Sequence, residues 1–102
     1  MPGNNLFTPK AAGTVNIAAT VASANVLLNR LGQDQLRVKN LDATNAAFIN
    51  FGNASVTASA ATGMPVGPGE TLGVTLAIDW THAAAITGAA TATVYFTPGS
   101  GL

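Results

Sequence analysis

The sequence predicts an all-β fold, a single-domain antiparallel β-sandwich of about seven or eight short strands. Three observations point there: apolar residues recur with a period of two, turn formers interrupt the chain every few residues, and no segment shows the i, i+3, i+4 spacing of an amphipathic helix. Ala is abundant and on its own favours helix. It is interleaved with Thr, Val, Ser, Asn and Gly, so the period outweighs the propensity.

Residues 1–12, with Pro2, Gly3 and Pro9, discourage regular structure and predict an extended amino-terminal arm ahead of a sandwich domain over 13–102. Val15, Ile17, Ala19 and Val21 alternate with their neighbours and predict a first half-buried strand; Val26 to Leu28 is a weaker one. Leu36 and Val38 alternate with Arg37 and Lys39, and Ala47, Ile49 and Phe51 share one face before Gly52-Asn53 ends the run. The small, polar stretch Asn53 to Thr62 predicts a long loop. Leu72, Val74, Leu76, Ile78 and Trp80 form the clearest alternating run, one that a turn could split near its end. Ala83 to Thr87 is weak because Ala has little strand preference. Ala92, Val94 and Phe96 alternate with Thr93, Tyr95 and Thr97 until Pro98-Gly99, which predicts a strand stop and a short tail. Gly32-Gln33-Asp34, Asp42 to Asn45, Gly63-Met64-Pro65, Gly67-Pro68-Gly69 and Gly88 supply the turns.

Charge narrows the function. Only 8% of the 102 residues are charged, four Lys/Arg balancing four Asp/Glu. Four dispersed cations cannot follow a phosphate backbone, which argues against nucleic acid as the main ligand. Zero net charge leaves nothing to repel one copy from the next, so self-association or burial against a partner is the expectation. The most apolar window, Ala18 to Leu28, is interrupted by Thr20, Ser23 and Asn25 and falls short of the about 20 residues that a spanning helix needs. Neither a transmembrane segment nor, lacking a basic start, a secretory signal is expected. The absence of cysteine removes disulfides, thiolate metal sites and thiol nucleophiles.

Little in the chain resembles catalytic equipment. His82 lies three residues after Asp79, but a metal site needs a third and usually a fourth ligand, and Asp34, Asp42 and Glu70 are scattered through separate loops. A polar loop after Trp80 is the better reading, and no metal or cofactor is expected. No serine sits in a Gly-x-Ser-x-Gly elbow, and Ser100 lies between tail glycines. Two carboxylates could meet in space for glycoside cleavage, a weak prospect with four acids in all. The glycines of 63–69 are interrupted by Pro65 and Pro68 and lead into no helix, so they are turn glycines rather than a phosphate loop. The chain is expected not to be an enzyme.

Parity sorts the aromatic residues. Phe51, Trp80 and Phe96 share the phase of the aliphatic residues in their runs and belong to the core face, whereas Phe48 and Tyr95 fall on the opposite face. An off-core Phe is a contact candidate, although a covering loop would explain it equally well. Leu6 and Phe7 are apolar anchors in an otherwise polar arm, and Arg37 and Lys39 point outward together, either as a solvated strand face or as a contact to an acidic partner. Leu6, Phe7, Arg37, Lys39, Phe48 and Tyr95 are therefore the candidate interface residues.

Four segments carry a family likeness: Gln35-Leu-Arg-Val-Lys-Asn-Leu, Ala47-Phe-Ile-Asn-Phe-Gly, Met64-Pro-Val-Gly-Pro-Gly-Glu-Thr-Leu-Gly-Val, and Thr91-Ala-Thr-Val-Tyr-Phe-Thr-Pro-Gly-Ser-Gly-Leu. Over residues 35 to 102 the chain resembles small virion proteins of tailed bacteriophages, of the capsid decoration or cement type. That resemblance implies a jelly-roll-like sandwich, a homo-oligomer, most simply a trimer, and the major capsid protein as partner. It also implies a place on the capsid exterior of a virion assembled in the host cytoplasm. The rival expectation is a receptor- or carbohydrate-binding sandwich on a tail or head fibre, which needs exposed aromatics in a groove.

Overall fold

In a computed structural model that describes residues 7–10, 12–30 and 32–101, nine strands form two packed antiparallel sheets. They are β1 (Thr8–Pro9), β2 (Val15–Ala19), β3 (Ala24–Leu27), β4 (Gln35–Asn40), β5 (Ala47–Gly52), β6 (Met64–Val66), β7 (Thr71–Thr75), β8 (His82–Thr87) and β9 (Ala92–Ser100). The pairs β2·β9, β3·β8, β4·β7 and β5·β6 are nested, so the chain is one long antiparallel ribbon whose tip is the loop between β5 and β6. Rolling that ribbon up adds the ladders β4·β9 and β5·β8. One sheet then runs β2-β9-β4-β7, with β1 extending the β2 edge, and the other β3-β8-β5-β6. This is the winding of a jelly roll.

Most strands turn one face to the core. Ile17 and Ala19, Leu36 and Val38, Ala47 and Ile49, Val66, Ala83 and Ala85, and Ala92, Val94 and Phe96 point into a single core, with Leu28 and Leu76 closing it. The inner face of β8 is built from Ala, and large residues on facing strands complement it: Phe96 is the largest fully buried side chain. Phe51 packs edge-on against Phe96, centroids 6.5 Å apart, and Trp80 stacks on Phe51 at 5.5 Å, so all three aromatics assigned to the core phase meet.

Asn40 ends β4 on the core phase and is fully buried. Its Nδ2 donates to the carbonyls of Asn45 (2.9 Å) and Val66 (3.1 Å), and its Oδ1 accepts from the Asp42 amide (2.9 Å). The bond to Val66 ties one sheet to the other, which makes this amide a satisfied cross-link rather than a core defect.

Several expectations are corrected. The strands number nine because β1 and β6, read as arm and as turn, are both paired. Val21 is exposed, since β2 ends at Ala19. The alternating run from Leu72 leaves the sheet after Thr75, and Ile78 is 93% exposed. Arg30 bends this segment away: its Nη1 donates to the carbonyls of Ala77 and Trp80, both at 3.0 Å, and Trp80 N–H closes a turn onto Ala77 O. Pro98 does not stop β9, which continues to Ser100. Opposite Pro98 the edge strand bulges: Pro9 faces Gly99 and Val15 faces Phe96, six steps on one strand against three on the other. The missing proline N–H falls where the ladder is already interrupted, while Pro98 O accepts from Lys10 N–H (2.7 Å).

Phe96→Ala is expected to lower unfolding stability by about 3–5 kcal/mol in chemical denaturation. Ile78→Asn, on the same apparent alternation, is expected to stay within about 0.5 kcal/mol of the parent; a loss comparable to that of Phe96→Ala would place Ile78 in the core.

Candidate functional site

The two sheets differ on their outer faces. On β3-β8-β5 the outward residues include Asn25, Ala84, Asn50 and Phe48, and residues 53–62 fold back across them. Asn25 Nδ2 donates to the carbonyls of Ala54 (3.1 Å) and Val56 (3.2 Å), Asn50 Nδ2 to that of Thr57 (3.1 Å), and Ala58 N–H to Ser23 Oγ (2.8 Å). Ala84 is sealed beneath, although it faces away from the core. Phe48 is half-buried at the root of this loop: a Cβ on Gly63 would lie 2.9 Å from Phe48 Cβ. The loop predicted over 53–62 therefore lies across this face as a third layer, with Phe48 half-buried beside its end.

The outer face of β2-β9-β4-β7 carries no such cover among the described residues. Gln35, Arg37 and Lys39 project from β4 beside Thr93, Tyr95 and Thr97 of β9, all half-buried. Arg37 faces Thr97 on one side and Gly73 on the other; Lys39 faces Tyr95 and Thr71, and Tyr95 faces Asn16. Thr14 and Thr97 hydroxyls are 3.0 Å apart. The two cations are tethered: Lys39 Nζ donates to Gly69 O at 2.8 Å, and the Arg37 guanidinium lies 4.8 Å from the centroid of the Phe7 ring.

Phe7 reaches that position because residue 99 is glycine. A Cβ there would sit 2.5 Å from Phe7 Cζ and collide with the Thr8 carbonyl oxygen. The notch over Gly99 seats the ring, β1 pairs alongside, and Arg37 closes over it. The structure thus brings together Phe7, Arg37, Lys39 and Tyr95 on one face and leaves Phe48 on the other; Leu6 lies outside the described residues.

All four acids, Asp34, Asp42, Glu70 and Asp79, lie in connections, so the strands of this face present cations without a carboxylate. Asp42 serves its own loop: the amides of Thr44 and Asn45 donate to its Oδ2 and hold its carboxyl below the usual carboxylate range. Glu70 accepts from Gly67 N–H (2.7 Å). His82 Nδ1 is 2.8 Å from the Thr81 hydroxyl, and among the described residues no three metal-ligating side chains gather. An open groove of about 520 Å³ at one end is lined by Arg30, Gly32, Gln33, Asp34, Leu76 and Ile78, but its guanidinium is occupied with backbone carbonyls. Sequence reasoning passed over Arg30, Gly99 and Asn40; only their distant partners give them their roles.

No protein-family model matches the chain, and no curated protein matches it in sequence. Among solved structures it is similar to a chain of Bacillus endospore appendages, described as a novel family of disulfide-linked pili, with 18% identity over 84% of this chain and 82% of that one and a TM-score of 0.50. At that identity the likeness is one of fold. These 102 residues contain no cysteine with which to form a disulfide.

Gly99→Val is expected to expel Phe7 and β1 without unfolding the sandwich. Amide exchange should show Lys10, bonded to Pro98 O, losing protection while Val94 and Phe96 keep theirs; protection retained at Lys10 would contradict the notch.

Proposed function

We propose that this chain is a structural protein of a bacteriophage virion, bound on the capsid exterior at junctions between major capsid subunits, where it decorates and stabilises the shell. The observation that carries this reading is the segregation of the sheet faces. Four of the residues singled out as contact candidates share the uncovered face, whereas the opposite face is closed by its own loop. A half-buried sheet face of Thr, Tyr and tethered cations suits burial against a preformed surface better than capture of a small ligand in a cleft. The receptor or carbohydrate alternative has less support, because Trp80 and Phe51 stack on each other at the core and Tyr95 is the only tyrosine available for an aromatic platform.

A protein that binds the assembled shell and not its separated subunits shifts the disassembly equilibrium by mass action. With Arg37 on Phe7 and Lys39 on Gly69, both cations of the face are already engaged within the protein, and exposed ion pairs contribute only about 0–1 kcal/mol each. Attachment then rests on fit and burial. Virions stripped of the protein are expected to release genome at lower temperature, and adding it back is expected to restore stability at both low and molar salt. Unchanged shell stability on removal would move the reading to receptor binding.

A further inference from the structure

We propose that two copies of this chain pair edge to edge through β7, forming a closed two-fold dimer in which the sheet β2-β9-β4-β7 continues into that of its partner. An exposed edge offers unpaired N–H and C=O groups, and natural sheets blunt it with Pro, bulges, brevity, charge or a covering loop. The β1/β2 edge has Pro9 and the bulge before Val15. Strand β6 is three residues long and contains Pro65. Strand β3 is strapped by residues 53–62 through Asn25 and Ser23. Strand β7, Thr71-Leu-Gly-Val-Thr75, has no charge, no Pro and no bulge in its ladder with β4.

The backbone of β7 is also aimed for pairing. Asn40 N–H donates to Glu70 O and Leu76 N–H to Asp34 O, so the even-numbered positions bond to β4, and the amides and carbonyls of Thr71, Gly73 and Thr75 point to the edge that no described strand occupies. All three residues are exposed. Read antiparallel about Gly73, the segment is self-complementary: Thr71 meets the partner's Thr75, Leu72 meets the partner's Val74, and Gly73 meets the partner's Gly73. Thr–Thr and aliphatic pairs are favourable across strands, and glycine at the axis lets the backbones close without side-chain conflict. Because the other edges are blunted, β7 closes on itself as an isologous dimer instead of propagating. Zero net charge sets no barrier to the approach. This inference is independent of the proposed function, and it differs from the trimer that the phage resemblance implies.

Sedimentation equilibrium of the full chain over a concentration series, combined with amide hydrogen exchange, tests it. The expected result is a monomer–dimer equilibrium in which the Gly73 amide gains protection as dimer forms, while Leu72 and Val74, already bonded to β4, do not change. Thr71→Glu with Thr75→Glu sets like charges opposite each other across the axis and should weaken the dimer about tenfold or more. Thr71→Glu with Thr75→Lys sets opposite charges there and should retain it. A monomer throughout, a trimer, a dimer with an unprotected Gly73 amide, or equal weakening by both pairs of substitutions overturns the proposal.

Discussion

The constraint on which this structure depends is the two-residue period of the pleat, closed around one apolar layer. Once Val38 and Phe96 face inward, Arg37, Lys39, Tyr95 and Thr97 must face outward, and a slip of one residue would exchange the two sets. The core and the candidate site are therefore one decision. Phe96 fills the layer that the Ala side chains of β8 leave open, and the same register fixes Tyr95 beside Lys39. Asn40 holds the arrangement at one end by bonding across the sheets to Val66.

What distinguishes the two outer faces is how each treats its backbone neighbours. The β3-β8-β5 face recruits residues 53–62 through Asn and Ser side chains, which supply the hydrogen bonds a loop must find when it leaves solvent. Among the described residues the other face is left open, save where Gly99 admits Phe7 and Arg37 covers the ring. A surface of this kind is preorganised: its cations are held by a carbonyl and an aromatic ring, so less side-chain freedom is lost on contact.

Much of this was legible in the sequence wherever alternation ran for several residues. Strands β2, β4, β5 and β9, the inward Phe51 and Phe96, and the outward Arg37, Lys39, Tyr95 and Phe48 all follow from parity. The remainder depended on distant partners. Strands β1 and β6 are too short to show a period, and β8 is strand because the sheet interior needs small residues, against the weak preference of Ala. Ile78 continues an alternating pattern after the backbone has left the sheet, since Arg30, far away in sequence, takes up the carbonyls that bend it. Pro98 reads as a terminator until the bulge opposite it is known, and Gly99 reads as a turn glycine until Phe7 is seated over it.

The working surface that we propose for the protein is the β2-β9-β4-β7 face, uncovered among the described residues. Electron cryomicroscopy of virions carrying the protein tests it most directly. Density is expected for the sandwich at subunit junctions with Arg37, Lys39 and Tyr95 turned toward the shell and residues 53–62 turned toward solvent. Sandwich density docked through the 53–62 layer, or virions with no density for the protein on the shell, would contradict it.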